Sequence, residues 1–146
     1  MRGLKLTIDP IPMSSWGISL ASKLGKKEWD KIRHETYFRA GYQCEICGNV
    51  NEELHAHEQW RFEEVKRIQR LVRFECCCKL CHDVHHLGRS SQVYNKDYVD
   101  GLIGHWCRVN ERTPQDFAKY QAEVFELSKK RANRFYTVKV GRRILV

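Results

Sequence analysis

Three segments, Cys44-Glu45-Ile46-Cys47-Gly48, Leu54-His55-Ala56-His57-Glu58 and Cys78-Lys79-Leu80-Cys81-His82-Asp83-Val84-His85-His86, follow one another within one compact stretch and hold most of the chain's cysteines and histidines. Each C-x2-C pair makes a tight knuckle whose two thiolates can meet one ion. Cys44 and Cys47 with Cys78 and Cys81 then complete a tetrahedral four-sulfur zinc site. Gly48 suits the turn after the first pair. A closed four-thiolate shell leaves no position for water, so this zinc is expected to be structural. Cys76 and Cys77 could in principle substitute as ligands, but the two-residue spacing favours Cys78 with Cys81. Cys107, beside Trp106 in a helical stretch, reads as core.

Five of the seven histidines fall between His55 and His86. A short helix is expected from about Leu80 to Leu87, capped by Gly88. His82 and His86 are four residues apart on it, so both point to one side and can grip one ion. Leu54 to Phe62 and Ile68 to Cys76 read as two strands, joined by a polar turn near Glu63 to Lys66. His57 lies on the first strand. His55 and His85 sit beside the proposed ligands on alternate faces, while His34 and His105 read as surface or packing residues.

Working outward, the stretch up to Gly25 holds Pro10, Pro12 and Gly17 and reads as an irregular arm. Lys26 to Ala40 reads as a helix with Trp29, Ile32, Thr36, Tyr37 and Ala40 on one face, stopped by Gly41. Beyond a polar linker from Arg89 to Lys96, Tyr98, Leu102, Ile103, Trp106 and Val109 mark an amphipathic helix. Thr113-Pro114-Gln115-Asp116 has the chemistry of a helix start, and Phe117, Tyr120, Val124 and Leu127 form the stripe that follows. Phe135 to Val146 reads as a β-like tail broken at Gly141.

The 146 residues have the size of one domain. Twenty-six Lys and Arg against 18 Asp and Glu leave a net charge of +8, which attracts polyanions, and nucleic acid is the commonest soluble one. No run approaches the roughly 18 consecutive apolar residues of a membrane span. The opening Met1 to Trp16 lacks a sustained apolar region, so the expected compartment is the cytoplasm, where seven cysteines suit metal better than disulfides.

The order C-x2-C, a strand with paired polar residues, then C-x2-C-H-x3-H resembles HNH endonucleases, the ββα-metal nuclease superfamily. The similarity extends to Trp29 through Arg33, Arg39 through Gly48, His57-Glu58-x-Trp60, Gln69-Arg70-Leu71, Cys81 through Gly88, and Val109 through Tyr136. It implies an α+β fold in one domain. A ββα-metal core over residues 42–90 would be stapled by the four-cysteine zinc, with an N-terminal arm and helix (1–41) and C-terminal helices and tail (91–146). Carried over by position, His57, His82 and His86 would hold a catalytic divalent cation (Mg2+, Mn2+, Ni2+ or Zn2+). Glu58 stands where the family's water-activating histidine stands. The usual second-strand asparagine aligns near Arg73.

A carboxylate at 58 can accept a proton from water with a weaker driving force than imidazole, or can bind the cation directly. The implied activity is phosphodiester hydrolysis of nucleic acid, DNA foremost. Arg73 is a candidate phosphate clamp, and Lys129, Lys130, Arg131 and Arg134, with Lys139, Arg142 and Arg143, are candidates to track the backbone. The competing reading is a scaffold that has lost chemistry and only binds nucleic acid or another protein.

Overall fold

The structure is a computed structural model that describes residues 1–12, 15, 20–141 and 143–144. Gly17, Arg142 and Val146, which belong to the expected arm and tail, lie outside the described residues. The architecture is mixed α+β. Among the described residues, β1 (Leu54–Glu63) and β2 (Ile68–Cys78) form a long antiparallel hairpin, with a register shift between Gln59 and Trp60. Arg67, at φ 56°, closes its turn.

The sheet is completed from the far end of the chain. β3 (Thr137–Val140) pairs in parallel with Ile68 to Arg70, and β4 (Arg143–Ile144) pairs antiparallel with β3. Further along β2, the first cysteine knuckle covers the same edge. Glu45 N–H donates to Cys76 O at 2.9 Å, and Cys76 N–H donates to Glu45 Oε2 at 2.6 Å. The central strand is thereby shielded along both ends of an edge that would otherwise recruit another chain.

α2 (Lys26–Arg39) follows the short α1 (Leu20–Leu24), a helix in what reads from sequence as an irregular arm. α2 packs across one face of the hairpin. The Trp29 and Phe74 rings meet edge-on at 5.7 Å, Tyr37 Oη donates to Leu54 O at 3.0 Å, and Thr36 is fully buried.

α3 (Lys79–His85) begins directly at the second knuckle, because the Cys78 sulfur accepts the Cys81 N–H and serves as the helix's N-cap. The expected stop at Gly88 is wrong. The helix breaks at His86 (φ −102°, ψ 39°) and restarts as α4 (Leu87–Val93), with Gly88 inside it. Much of the expected polar linker is therefore helical. Buried Leu87 and Ser90 anchor α4, and Ser90 Oγ donates to Asp83 O at 2.8 Å. Two anchors three residues apart are too few to register as a period.

α5 (Lys96–Asn110) is capped by the Asn95 side chain, and α6 (Pro114–Ala132) begins with a reciprocal capping box between Thr113 and Asp116. Trp106 stacks on Tyr120 at 5.3 Å and meets Phe117 edge-on at 5.2 Å. This pair of helices, through Leu102, Trp106, Phe117 and Tyr120, shares one buried core with Leu6, Val84 and Leu87, and with Cys44, Cys77, Cys78 and Cys81. Full burial of a side chain such as Leu102 contributes about 1.5–3 kcal/mol. No helix among the described residues is long and apolar enough to cross a membrane.

Candidate functional site

The four sulfurs of Cys44, Cys47, Cys78 and Cys81 lie within 4.8 Å of one another and can hold a metal ion such as zinc. A tetrahedron with sulfurs about 2.3 Å from its centre has edges of about 3.8 Å. Cys47 Sγ and Cys78 Sγ stand 3.7 Å apart. Both knuckles carry the same internal bond, Cys47 N–H to Cys44 Sγ at 3.4 Å and Cys81 N–H to Cys78 Sγ at 3.5 Å.

Hydrogen bonds from Cys78 and Cys81 hold the Cys44 thiol far below its ordinary value, while the contact with Cys44 pushes Cys78 up to about 12. A cation at the centre of such a cluster favours ionisation of the thiols it binds. His105, read from sequence as a surface or packing residue, places Nε2 3.2 Å from Cys81 Sγ. Burial, and then Arg108, lower its pKa, so the neutral ring can donate to the sulfur. Cys76 and Cys77 are buried in β2 and are not members of the cluster.

On the other side of α3, His57, His82 and His86 bring one ligand nitrogen each within 4.8 Å of one another. β1 supplies the first, and α3 with its C-terminal cap supplies the other two. Burial is the main cause that lowers His82 to about 2 and His86 to about 4, with like-charge neighbours adding to it. Both rings therefore keep a lone pair for a cation at neutral pH. His57 is 1% exposed, and its Nδ1 is buried without a hydrogen-bond partner among the described residues. Such an orphaned acceptor is uncommon in a folded protein, and a cation is one partner that satisfies it.

A carboxylate that sequence reasoning missed touches this trio. Asp9 Oδ2 lies 2.9 Å from His57 Nε2 and 3.2 Å from His85 Nδ1. His85 stacks flat on His57 with ring centres 4.2 Å apart. Its Nδ1 faces Thr7 O at 2.8 Å and its Nε2 faces Glu75 Oε2 at 3.2 Å. Burial opposes charge on His85, but the bonds to Asp9 and Glu75 outweigh it and raise the ring to about 10. Burial also works against ionisation of Asp9, yet His57 and His85 hold its carboxyl well below the usual range. With a proton on each nitrogen, His85 is a brace rather than a ligand. His55 stacks on His82 at 4.5 Å, and its buried Nε2 lies 3.8 Å from Glu53 Oε1, beyond hydrogen-bond reach.

Glu58 is not brought into this cluster. Successive side chains of a strand face opposite sides, and His57 faces α3, so Glu58 faces the α2 side of the hairpin. Burial there pushes its carboxyl up.

The expected nucleic-acid residues are largely engaged within the fold. Arg73 pairs with Glu45 at 2.7 Å, bracing the first knuckle. Arg131 is 12% exposed, bonds Glu64 and Pro10 O at 3.0 Å, and lies over the Phe62 ring at 3.7 Å. Arg134 also pairs with Glu64, at 3.1 Å. Lys129 pairs with Glu126 on the exposed face of α6, where Lys130 is exposed too. Comparison of the chain with protein-family models, with curated proteins and with solved structures gives no match.

Proposed function

We propose that this chain is a metal-dependent phosphodiesterase of the HNH type that hydrolyses nucleic acid, with DNA as the leading substrate. In this reading β1, β2 and α3 are a ββα-metal core. Zinc at Cys44, Cys47, Cys78 and Cys81 is its structural staple, and His57, His82 and His86 hold a second, catalytic divalent cation. The observation that carries the reading is the meeting of those three histidines at one point, with an orphaned nitrogen on the most deeply buried of them.

A bound divalent cation supplies charge stabilisation for the phosphodiester in its transition state and makes a nearby water more acidic. The chain's own residues do the rest. His82 and His86 stay neutral and available as ligands. The stacked His85 and the Asp9 carboxylate hold the His57 ring still. His55, on the same face of β1, is better placed than Glu58 to receive a proton. The basic end of α6 reaches the same region, since Arg131 bonds the carbonyl of Pro10, next to Asp9. Exposed Lys129 and Lys130 on that helix can attract phosphate.

The position of Glu58 favours a second reading, in which the scaffold binds nucleic acid without cutting it. The two readings part in a plasmid-cleavage assay with Mg2+, Mn2+, Ni2+ and Zn2+, run on the wild type, Glu58→Ala and His55→Ala. The nuclease reading predicts cleavage that Glu58→Ala retains and that His55→Ala reduces by about a hundredfold or more. No cleavage with any of the four cations, together with salt-dependent DNA binding, selects the second reading.

A further inference from the structure

We infer that Asp9, on the N-terminal strap, is the positioning residue of the histidine cation site. It accepts the Nε2 proton of His57 and so leaves the lone pair on Nδ1 to face the ion. This inference rests on the reading of His57, His82 and His86 as cation ligands.

An imidazole carries one proton when neutral, and the hydrogen bond at one nitrogen decides which nitrogen keeps its lone pair. Asp9 Oδ2 is 2.9 Å from Nε2, and a carboxylate only accepts, so the proton belongs there. Nδ1 is the nitrogen with no hydrogen-bond partner among the described residues. Donation of the outer ring N–H to a carboxylate is the usual way a metal-binding histidine is oriented.

Asp9, His57 and His85 also lie close enough together to suggest a cation of their own. The bonds of His85 argue otherwise. One of its nitrogens faces a backbone carbonyl and the other a carboxylate, so both carry protons and neither can ligate.

The strap that presents Asp9 is fastened at each step. The Asn110 side chain accepts the N–H groups of Lys5 at 2.7 Å and Leu6 at 3.0 Å, and donates to Leu6 O at 3.0 Å. Tyr120 Oη accepts Ile8 N–H at 2.9 Å, and Asp9 N–H donates to His85 O at 2.9 Å. α5 and α6 thus set the position of a carboxylate that acts through His57. That accounts for the buried Asn110, whose side chain bonds the strap at Lys5 and Leu6.

The test uses zinc-loaded full-length protein and Ni2+ as the probe. Calorimetric titration of Ni2+ into the wild type, Asp9→Asn and His57→Ala reads affinity, while nitrogen-15 NMR of the nickel-free wild type reads which His57 nitrogen is protonated. The expected results are a proton on Nε2 and Ni2+ affinity in Asp9→Asn about 10- to 100-fold weaker than wild type, with zinc content unchanged. His57→Ala should lose the nickel site.

Nickel binding that Asp9→Asn leaves unchanged, or a His57 proton on Nδ1, overturns the role of Asp9 alone. A wild type that binds no Ni2+ overturns the cation site, and this role with it. The NMR measurement needs no variant and reads the His57 tautomer even if Asp9→Asn folds poorly.

Discussion

At the scale of single residues, the site was legible where spacing alone determines geometry. Cys44, Cys47, Cys78 and Cys81 converge as their C-x2-C pairs require, and His82 and His86 share a side because they are one helical turn apart. Glu58 shows the opposite case. It neighbours His57 in sequence, but strand alternation sends it to the other face, a signal already present once the segment is read as a strand. Asp9 had no such signal, because nothing local ties it to His57 and only the folded strap brings them together. The thiolate cluster yields a direct prediction. Cys44→Ser should lose about one zinc per chain by metal analysis and most of the protein's cooperative unfolding. Structural zinc contributes on the order of 10 kcal/mol in small domains, and these sulfurs lie within the shared core. An unchanged zinc content and melting temperature would contradict the assignment.

At the scale of elements, helices with a full amphipathic period or an explicit cap were readable, and those anchored by one or two residues were not. α6 announced itself through Thr113, Pro114 and Asp116, whereas α4 rests on Leu87 and Ser90 alone. Removing the cap with Thr113→Ala should cost about 1 kcal/mol, read as a lower denaturant midpoint at unchanged slope.

A stronger effect is expected where α6, β3 and the hairpin turn meet. There Glu64 accepts from Tyr136 Oη at 2.5 Å and pairs with Arg131 and Arg134. Burial opposes its ionisation, but the Tyr136 and arginine contacts win and lower its pKa. A folded-state value below the unfolded one stabilises the protein at pH above the ordinary glutamate range, and the benefit fades as pH falls through the folded value. Glu64→Gln should therefore cost about 1–2 kcal/mol at pH 7, allowing for partial solvent screening, and much less near pH 3. Equal losses at both pH values would show that the carboxylate charge is not what holds this junction.

At the scale of the whole molecule, the net charge of +8 pointed toward polyanions, but it does not say which basic side chains are free to face them. Arg73, Arg131 and Arg134 are committed to Glu45 and Glu64, which composition cannot reveal. If exposed Lys129 and Lys130 contact phosphate, Lys129→Glu with Lys130→Glu should flatten the salt dependence of DNA binding by roughly 2 in log–log slope. Arg131→Glu should instead lower the melting temperature.

The N-terminal strap reaches the hairpin at His57, and β3 pairs with β2 nearer its turn, so segments distant in sequence hold the hairpin that carries the histidine site. The measurement that bears most directly on the central claim is the rate of DNA cleavage by His86→Ala beside the wild type, across divalent cations, with zinc content and melting temperature recorded for both. The expected result is cleavage by the wild type and its abolition in His86→Ala, with the zinc retained and the fold intact. Equal cleavage by the two proteins, or none by the wild type with any cation, would contradict it.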